Sequence, residues 1–454
     1  MAVSKYQMDM CHGNLARQVL VFAVPLVFSG LLQVLFHSAD LMVVGRFASH
    51  HALAAVGATA ALTWLMINIF IGMSVATNVI TARCLGEKNR KNTSKVVHTS
   101  IAVSLAGGAF LAFIGICFSR FFLKLMDTPD EVIDMSTLYM QIYFAGMPVV
   151  MLYNFGSAVL RAAGDTKRPF YFLIISGIVN IILNLFFVIC CGMDVGGVAL
   201  ATVISQAIAA GLILKVLTKM HGGCRFYWKK LHIYGESLKE IIRIGVPAGF
   251  QGACFSISSM LIQSSINSFG SEAIAGNTAA GQWEGFFFVA FGAFSQTAVS
   301  FAGQNLGGRQ YKRIVESVKY CVYYCTAFAI AGTLLIWIFN YETLAFFNKN
   351  PEVIRWGILR YKVFMPLVFF GGLMEIFVGA MRGLGYSLGP TIVMIFGACI
   401  FRIVWVVTIF KYFHSMAVLI LSYPVSWILI SVIMIFYFRK AMQKYQNANN
   451  FCFF

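Results

Sequence analysis

Charge is scarce in this sequence. Only 11% of its 454 residues are Asp, Glu, Lys or Arg, against roughly 25% in an average soluble domain. Acidic residues are rarer still, 17 against 34 basic ones. With hydrophobic residues at 59% and 43 Phe, a water-soluble globule of this length has no way to hide its apolar surface. Disorder, a collagen-like repeat and a disulfide scaffold are excluded by the same numbers. There is no H-E-x-x-H, no G-x-S-x-G and no Walker A string, which argues against an intramembrane enzyme and against ATP-driven pumping by this chain. The first 18 residues lack an apolar core followed by a small-residue cleavage site, so no removable signal peptide is expected and the first span is retained. The 11 Cys are scattered, mostly in apolar runs. They read as packing residues, the Cys321/Cys325 pair included, and no zinc-type spacing is present.

What is present is a series of apolar runs bounded by charge. Twelve spans are expected, at about 18–44, 54–81, 97–118, 137–159, 170–190, 196–218, 244–268, 278–302, 318–339, 358–381, 389–410 and 415–438, each near the ~20 residues a bilayer requires. With a cytoplasmic N-terminus, the inside loops hold Arg83, Lys88, Arg90, Lys91 and Lys95, then Arg161, Lys167 and Arg168, and later Arg309, Lys312 and Arg313. The outside connections hold few bases, such as Arg46, Lys124, Lys349 and Lys411. This bias places both termini in the cytoplasm. The net charge of +17 is largely that asymmetry, facing an anionic leaflet rather than a nucleic acid.

The chain repeats itself at an offset of 221 residues: R-A-A-G-D-T-K-R-P, with Arg161, Gly164 and Pro169, returns as R-G-L-G-Y-S-L-G-P, with Arg382, Gly385 and Pro390. Glu131-Val132-Ile133 returns as Glu352-Val353-Ile354, Leu85-Gly86 as Leu306-Gly307, and Pro25 as Pro247 after a one-residue shift. Six spans per unit is an even number, so both halves insert in the same orientation, about an axis along the membrane normal. The expected organisation is an N-terminal lobe over 1–218, a basic cytoplasmic linker over 219–240, read as a tether with a leaflet-binding amphipathic segment as the alternative, and a C-terminal lobe over 241–454. The fold class is an all-α integral membrane protein with twelve transmembrane helices in two pseudo-symmetric six-helix lobes.

Three acidic residues fall within apolar runs, Asp40, Glu284 and Glu375, with Arg402 as the basic exception. Ionisable groups inside a membrane are costly and are functional candidates by default. Asp40 shares a helix face with Gln33 and His37, seven and three residues before it. Counting rise along the helices brings Asn184 and Thr202 to the depth of Asp40, with Asn180 one turn from Asn184. One carboxylate with amide and hydroxyl oxygens suits Na⁺, or a protonatable carboxyl; alternatively the polar residues simply bond helix to helix. His37 reads first as a simple polar helix contact, with added pH sensitivity as the alternative. Glu284 and Arg402 match in depth, so a structural ion pair is expected, with a drug-binding or proton-carrying Glu284 as the alternative. Glu375 is open between a coupling role and an intrahelical partner; Asp165 bonds within its turn. Pro25, with Gly30 after it, and Pro247 bend their helices as hinges or as static kinks.

These residues carry a resemblance. Pro25 with Asp40 and Gly45, the A-R-C-L-G-E stretch at 82–87, the two R-x-x-G words, N-I-I-L-N at 180–184 and G-V-A-L-A-T-V-I-S-Q together resemble the bacterial branch of the multidrug and toxic-compound extrusion (MATE) transporters. The resemblance spans nearly all of residues 10–440. It implies a V-shaped pair of six-helix lobes exporting organic cations by alternating access, driven by inward Na⁺ or H⁺. It also implies that Asp40, Asn180, Asn184 and Thr202 form the N-lobe cation site. One departure stands out: where many members carry an acidic residue about eight positions after the span-seven proline, this chain has Phe255-Ser256.

The expected function is therefore a secondary multidrug antiporter in the bacterial cytoplasmic membrane, with no cofactor beyond the coupling ion. Its expected partners are small organic cations, Na⁺ or H⁺ and membrane lipid, with no nucleic acid, and the protein is expected to be a monomer. A lipid-linked saccharide flippase is the first rival. Mid-span acids outnumber the single mid-span base, Arg402, which favours cationic cargo over the anionic cargo of a flippase. A channel or receptor has no positive feature, and internal duplication favours a carrier.

Overall fold

A computed structural model describes residues 6–47 and 50–447, and among them every regular element is helical. Eleven helices are long and apolar enough to cross a membrane, twelve when one bent pair counts as a single span. The spans are Leu15–Phe47, His50–Gly86, Arg90–Leu125, Asp130–Ala145 continued by Met147–Ala162, Lys167–Leu185 continued by Phe186–Cys190, and Asp194–Lys219. The second set is Gly235–Asn267, Ser271–Gly307, Tyr311–Ile338, Pro351–Phe364 continued by Val368–Gly383, Leu388–Phe413, and Met416–Asn447. The twelve-span expectation holds, numbered below in this order.

Local chemistry explains the boundaries. Span three starts where the Asn89 side chain accepts from the Asn92 N–H, and span ten where Asn350 accepts from the Glu352 N–H; each satisfies a backbone donor that a helix start leaves orphaned. Span four is broken. It bends by 46° between Ala145 and Met147, at Gly146, where an added Cβ would lie 2.4 Å from Val203 Cγ2. Pro148 follows at the start of the next segment and cannot donate to the preceding turn. Span ten breaks at the equivalent place, in a short 3-10 turn over Met365–Leu367 that contains Pro366. The repeat visible in short words therefore extends to backbone irregularities.

The chain packs as two compact units, one of 1–9 and 28–250, the other of 10–27 and 251–454. The division by packing thus differs from the division by repeat. Residues 10–27 belong with the second unit, where the Met10 N–H donates to Gln304 Oε1 at 2.8 Å and Asn305 Nδ2 to the Met10 carbonyl at 3.2 Å. The first part of span seven belongs with the first unit. There Gly72 of span two approaches Gly245 and Gly249 so closely that a Cβ on Gly72 would sit 2.3 Å from the Gly249 nitrogen. Arg83 clamps Glu240 through Nη2 at 2.8 and 2.9 Å.

The basic stretch after span six is no loose tether. His98 Nε2 accepts from the Tyr227 N–H at 3.1 Å and Thr99 Oγ1 from the Tyr234 N–H at 3.0 Å. Cys224 and Phe226 are buried in the apolar core of the first unit, and burial pushes the Cys224 thiol up to about 12. The segment is docked along span three because its apolar residues have a core to enter and its backbone finds side-chain acceptors there.

Candidate cation site in the first unit

The first unit brings together four of the residues singled out in the sequence. Span five presents Asn180 and Asn184 on one face, as their spacing of four requires. Asn184 Nδ2 donates to Asp40 Oδ1 of span one, and also to Asn180 Oδ1 at 3.3 Å. Asn180 Nδ2 donates to Thr202 Oγ1 of span six at 3.4 Å, and Thr202 donates to the Val198 carbonyl at 3.0 Å. Asn184 is fully buried and Asn180 nearly so, while Asp40 and Thr202 are half-buried. A neighbouring bond, from the Ser176 hydroxyl to the Ser205 carbonyl at 2.8 Å, ties spans five and six together one turn away.

Beside the cluster, Val43, Val44, Val188, Val195 and Val198 share an apolar core with span-two residues Ala52, Ala55 and Val56. Four spans thus fix the polar groups with little freedom. The α-helical part of span five ends at Leu185, and Phe186–Cys190 continues as a π-helix, an irregularity often found at functional sites.

The hydrogen-bond directions decide what the cluster can do. Both Asn184 amide N–H groups are spent, on Asp40 and on Asn180. Asn184 Oδ1 is left buried with no hydrogen-bond partner, an arrangement that costs free energy unless something positive completes it. An amide oxygen without a donor, on a side chain bonded to the Asp40 carboxylate, is a hard oxygen of the kind that ligates Na⁺. The same carboxylate could instead take a proton.

Other residues fall differently. Gln33 and His37 are exposed and make no hydrogen bond to Asp40 among the described residues. Sequence reasoning missed Tyr139 and Tyr143 of span four, which lie in electrostatic range of Asp40 and stack with ring centroids 6.0 Å apart. Their spacing of four on an otherwise apolar helix was the available signal. Asp165, in the turn before span five, accepts from the Arg168 backbone N–H at 3.1 Å and from its guanidinium. It is a turn residue, as its position suggested; burial raises its carboxyl above the ordinary range while Arg168 opposes the shift.

In the second unit the expected Glu284–Arg402 ion pair is replaced. Glu284 is held by Arg360 of span ten in a bidentate fork, Nε to Oε1 and Nη2 to Oε2, both at 2.6 Å. Arg360 Nη1 also reaches Asn277 Oδ1. Depth matching failed because it considered only bases already recognised as mid-span. Arg360 lies near the end of an apolar run, between Arg355 and Lys362, and reads there as a boundary charge. Arg402 is 2% exposed, bonds Ser426 Oγ through Nε and Nη2 at 3.0 and 2.9 Å, and stacks on Tyr423 with 4.4 Å to the ring centroid. Glu375 forms no ion pair within 4 Å among the described residues. Arg382, two turns along the same span, acts on it electrostatically and donates to Gln251 at 2.7 Å. Pro25 and Pro247 lie inside continuous helices.

The MatE family model matches this chain twice, over residues 25–186 and 247–408, each match opening on the proline inside span one or span seven. A probable multidrug resistance protein, YoeA of Bacillus subtilis (strain 168), is 31% identical over 394 residues, 84% of each chain. The probable multidrug resistance protein NorM of Thermotoga maritima is 24% identical, over 88% of this chain and 87% of that one. A solved structure, the outward-facing conformation of a multidrug resistance MATE family transporter, superposes with a TM-score of 0.91 at 19% identity, covering 98% of this chain and 100% of its own. That likeness is one of fold.

Proposed function

The chain belongs to the MATE family of multidrug efflux transporters, and from that premise we propose that it is a secondary antiporter exporting organic cations in exchange for Na⁺ or H⁺ by alternating access. It works as a carrier rather than an enzyme, in a bacterial cytoplasmic membrane with both termini inside, and needs no cofactor beyond its coupling ion. Asp40, Asn180, Asn184 and Thr202 form the coupling site. The observation that carries this reading is the buried, unpartnered Asn184 Oδ1 beside the Asp40 carboxylate.

In the cycle, an ion entering from outside neutralises Asp40. A proton converts Oδ1 or Oδ2 to a neutral hydroxyl that can donate; Na⁺ instead ligates Asp40 and the free Asn184 oxygen. Either event changes which hydrogen bonds span five can make with span one and so favours the conformation that releases drug outward. Drug binding from the cytoplasm favours the state that releases the ion. Pro25, Gly30 and Pro247 serve as the points at which spans one and seven bend. One charge moving with a 100 mV potential supplies about 2.3 kcal/mol, before any concentration gradient. Glu375 is the candidate for a second protonation site.

Reconstituted vesicles test this. Efflux of a fluorescent organic cation is followed under an imposed Na⁺ gradient at clamped pH, then under a pH gradient without Na⁺. Acceleration by one gradient supports the antiporter and names the ion; no acceleration by either sinks it.

A further inference from the structure

The two repeats carry opposite chemistry at equivalent places. Applying the 221-residue offset, Thr202 of span six corresponds to Tyr423 of span twelve, and Ser205 to Ser426. In the first unit, span five meets span six through Asn180 on Thr202 and Ser176 on Ser205. In the second, span eleven meets span twelve through Arg402 on Tyr423 and Ser426. Arg402 follows Phe401, the offset partner of Asn180, by one residue, and Ile395–Ile400 just before it is a π-helix, a geometry that absorbs about one extra residue. A second π-helical stretch, Val406–Phe410, follows Arg402 as Phe186–Cys190 follows Asn184. Tyr139, near Asp40, corresponds to Arg360. Where the first unit gathers oxygen acceptors around a carboxylate, the second gathers guanidinium groups.

The charge balance in the second unit leaves one of these over. Arg360 is neutralised by Glu284. Arg402 is paired with no carboxylate within 4 Å among the described residues. Its guanidinium carbon lies 4.4 Å from the Tyr423 ring centroid and 5.8 Å from that of Phe255. Nε and Nη2 share one hydroxyl, Ser426 Oγ, and Nη1 has no hydrogen bond among the described residues. A charge so deeply buried is stable only when an opposite charge reaches it. A guanidinium within cation–π range of two rings, with Nη1 unbonded among the described residues, keeps the planar fork that receives an oxyanion.

We propose that Arg402, with Tyr423 and Ser426, is an anion subsite within the second unit that takes a carboxylate on the transported molecule, so that the preferred cargo is zwitterionic rather than purely cationic. The inference rests on the chain being a carrier of small organic molecules and not on the coupling role of Asp40.

Rhodamine B and its ethyl ester differ by a single carboxylate and serve as matched probes. Their binding to the purified full-length protein in neutral detergent is read by fluorescence anisotropy, with no ion gradient, so the result is separable from any failure of coupling. The native protein is expected to bind the acid tighter than the ester by about ten-fold or more, the scale of one hydrogen-bonded charge. Arg402→Gln should bring the ratio to near one, and Arg402→Lys, which keeps the charge, should retain most of the preference. Equal affinity of the native protein for the two dyes overturns the proposal, and so does a preference that survives in Arg402→Gln. Should Arg402→Gln fail to fold, Ser426→Ala, which removes the hydroxyl that anchors the guanidinium, is expected to lower the acid-to-ester ratio, and an unchanged ratio overturns the proposal.

Discussion

Asn184 is the residue on which the site turns, because its two N–H groups face acceptors and its oxygen faces none. Replacing it by Leu removes the donor to Asp40 and the free oxygen together, and should weaken the coupling-ion dependence of efflux at least as much as it weakens drug binding. Dye binding and gradient-driven efflux measured side by side check this. Glu284 sets a different expectation. Glu284→Gln leaves the buried Arg360 guanidinium without its carboxylate, a change of the kind that costs about 3–5 kcal/mol. The melting temperature of the purified variant should fall clearly, whereas Glu284→Gln/Arg360→Met should recover part of the loss. A variant with native stability would contradict a structural role for the pair. At this scale the sequence was legible where a charge interrupted an apolar run, as at Asp40 and Arg402. It was opaque where a charge sat at a run's edge, as at Arg360, or where the partner was a tyrosine, which apolar runs accommodate without notice.

Elements are held apart or together by single small residues. Gly72 faces the backbone of Gly249 and Gly245 faces that of Met73, so span two and the first part of span seven pack with almost no side chain between them. Gly72→Leu forces these helices apart; overpacking of this sort typically costs about 1–3 kcal/mol. It should lower the melting temperature while leaving the Asp40 cluster chemically intact. Gly72→Ala separates a steric cause from others, since one methyl should give an intermediate loss. The span limits followed from apolar runs and loop charge. The bend at Gly146 did not, because a glycine and a proline in an apolar run read equally well as a continuous helix. It takes Val203, on a neighbouring span, to make the small residue necessary. The docking of the segment after span six is hidden in the sequence for the same reason. Its lysines announce a solvated tether, and only the fold reveals that Phe226 and Cys224 have a core to enter.

For the whole molecule, duplication has supplied two copies of one scaffold whose sites have diverged in charge. The offset of 221 residues was visible in short words of sequence, and it recurs in the broken fourth and tenth spans and in the π-helical ends of spans five and eleven. The words could not reveal which buried groups pair, since pairing depends on helix rotation that a one-residue π insertion changes. On the proposed reading, ion coupling falls to the first unit and cargo recognition extends into the second. The central claim is that Asp40 couples the ion to export. Its most direct measurement is gradient-driven efflux of a fluorescent organic cation from vesicles containing the Asp40→Asn protein, beside the native protein at matched reconstitution and melting temperature. The account predicts that the gradient accelerates the native protein and leaves Asp40→Asn at its ungraded rate. Equal acceleration of the two would contradict it.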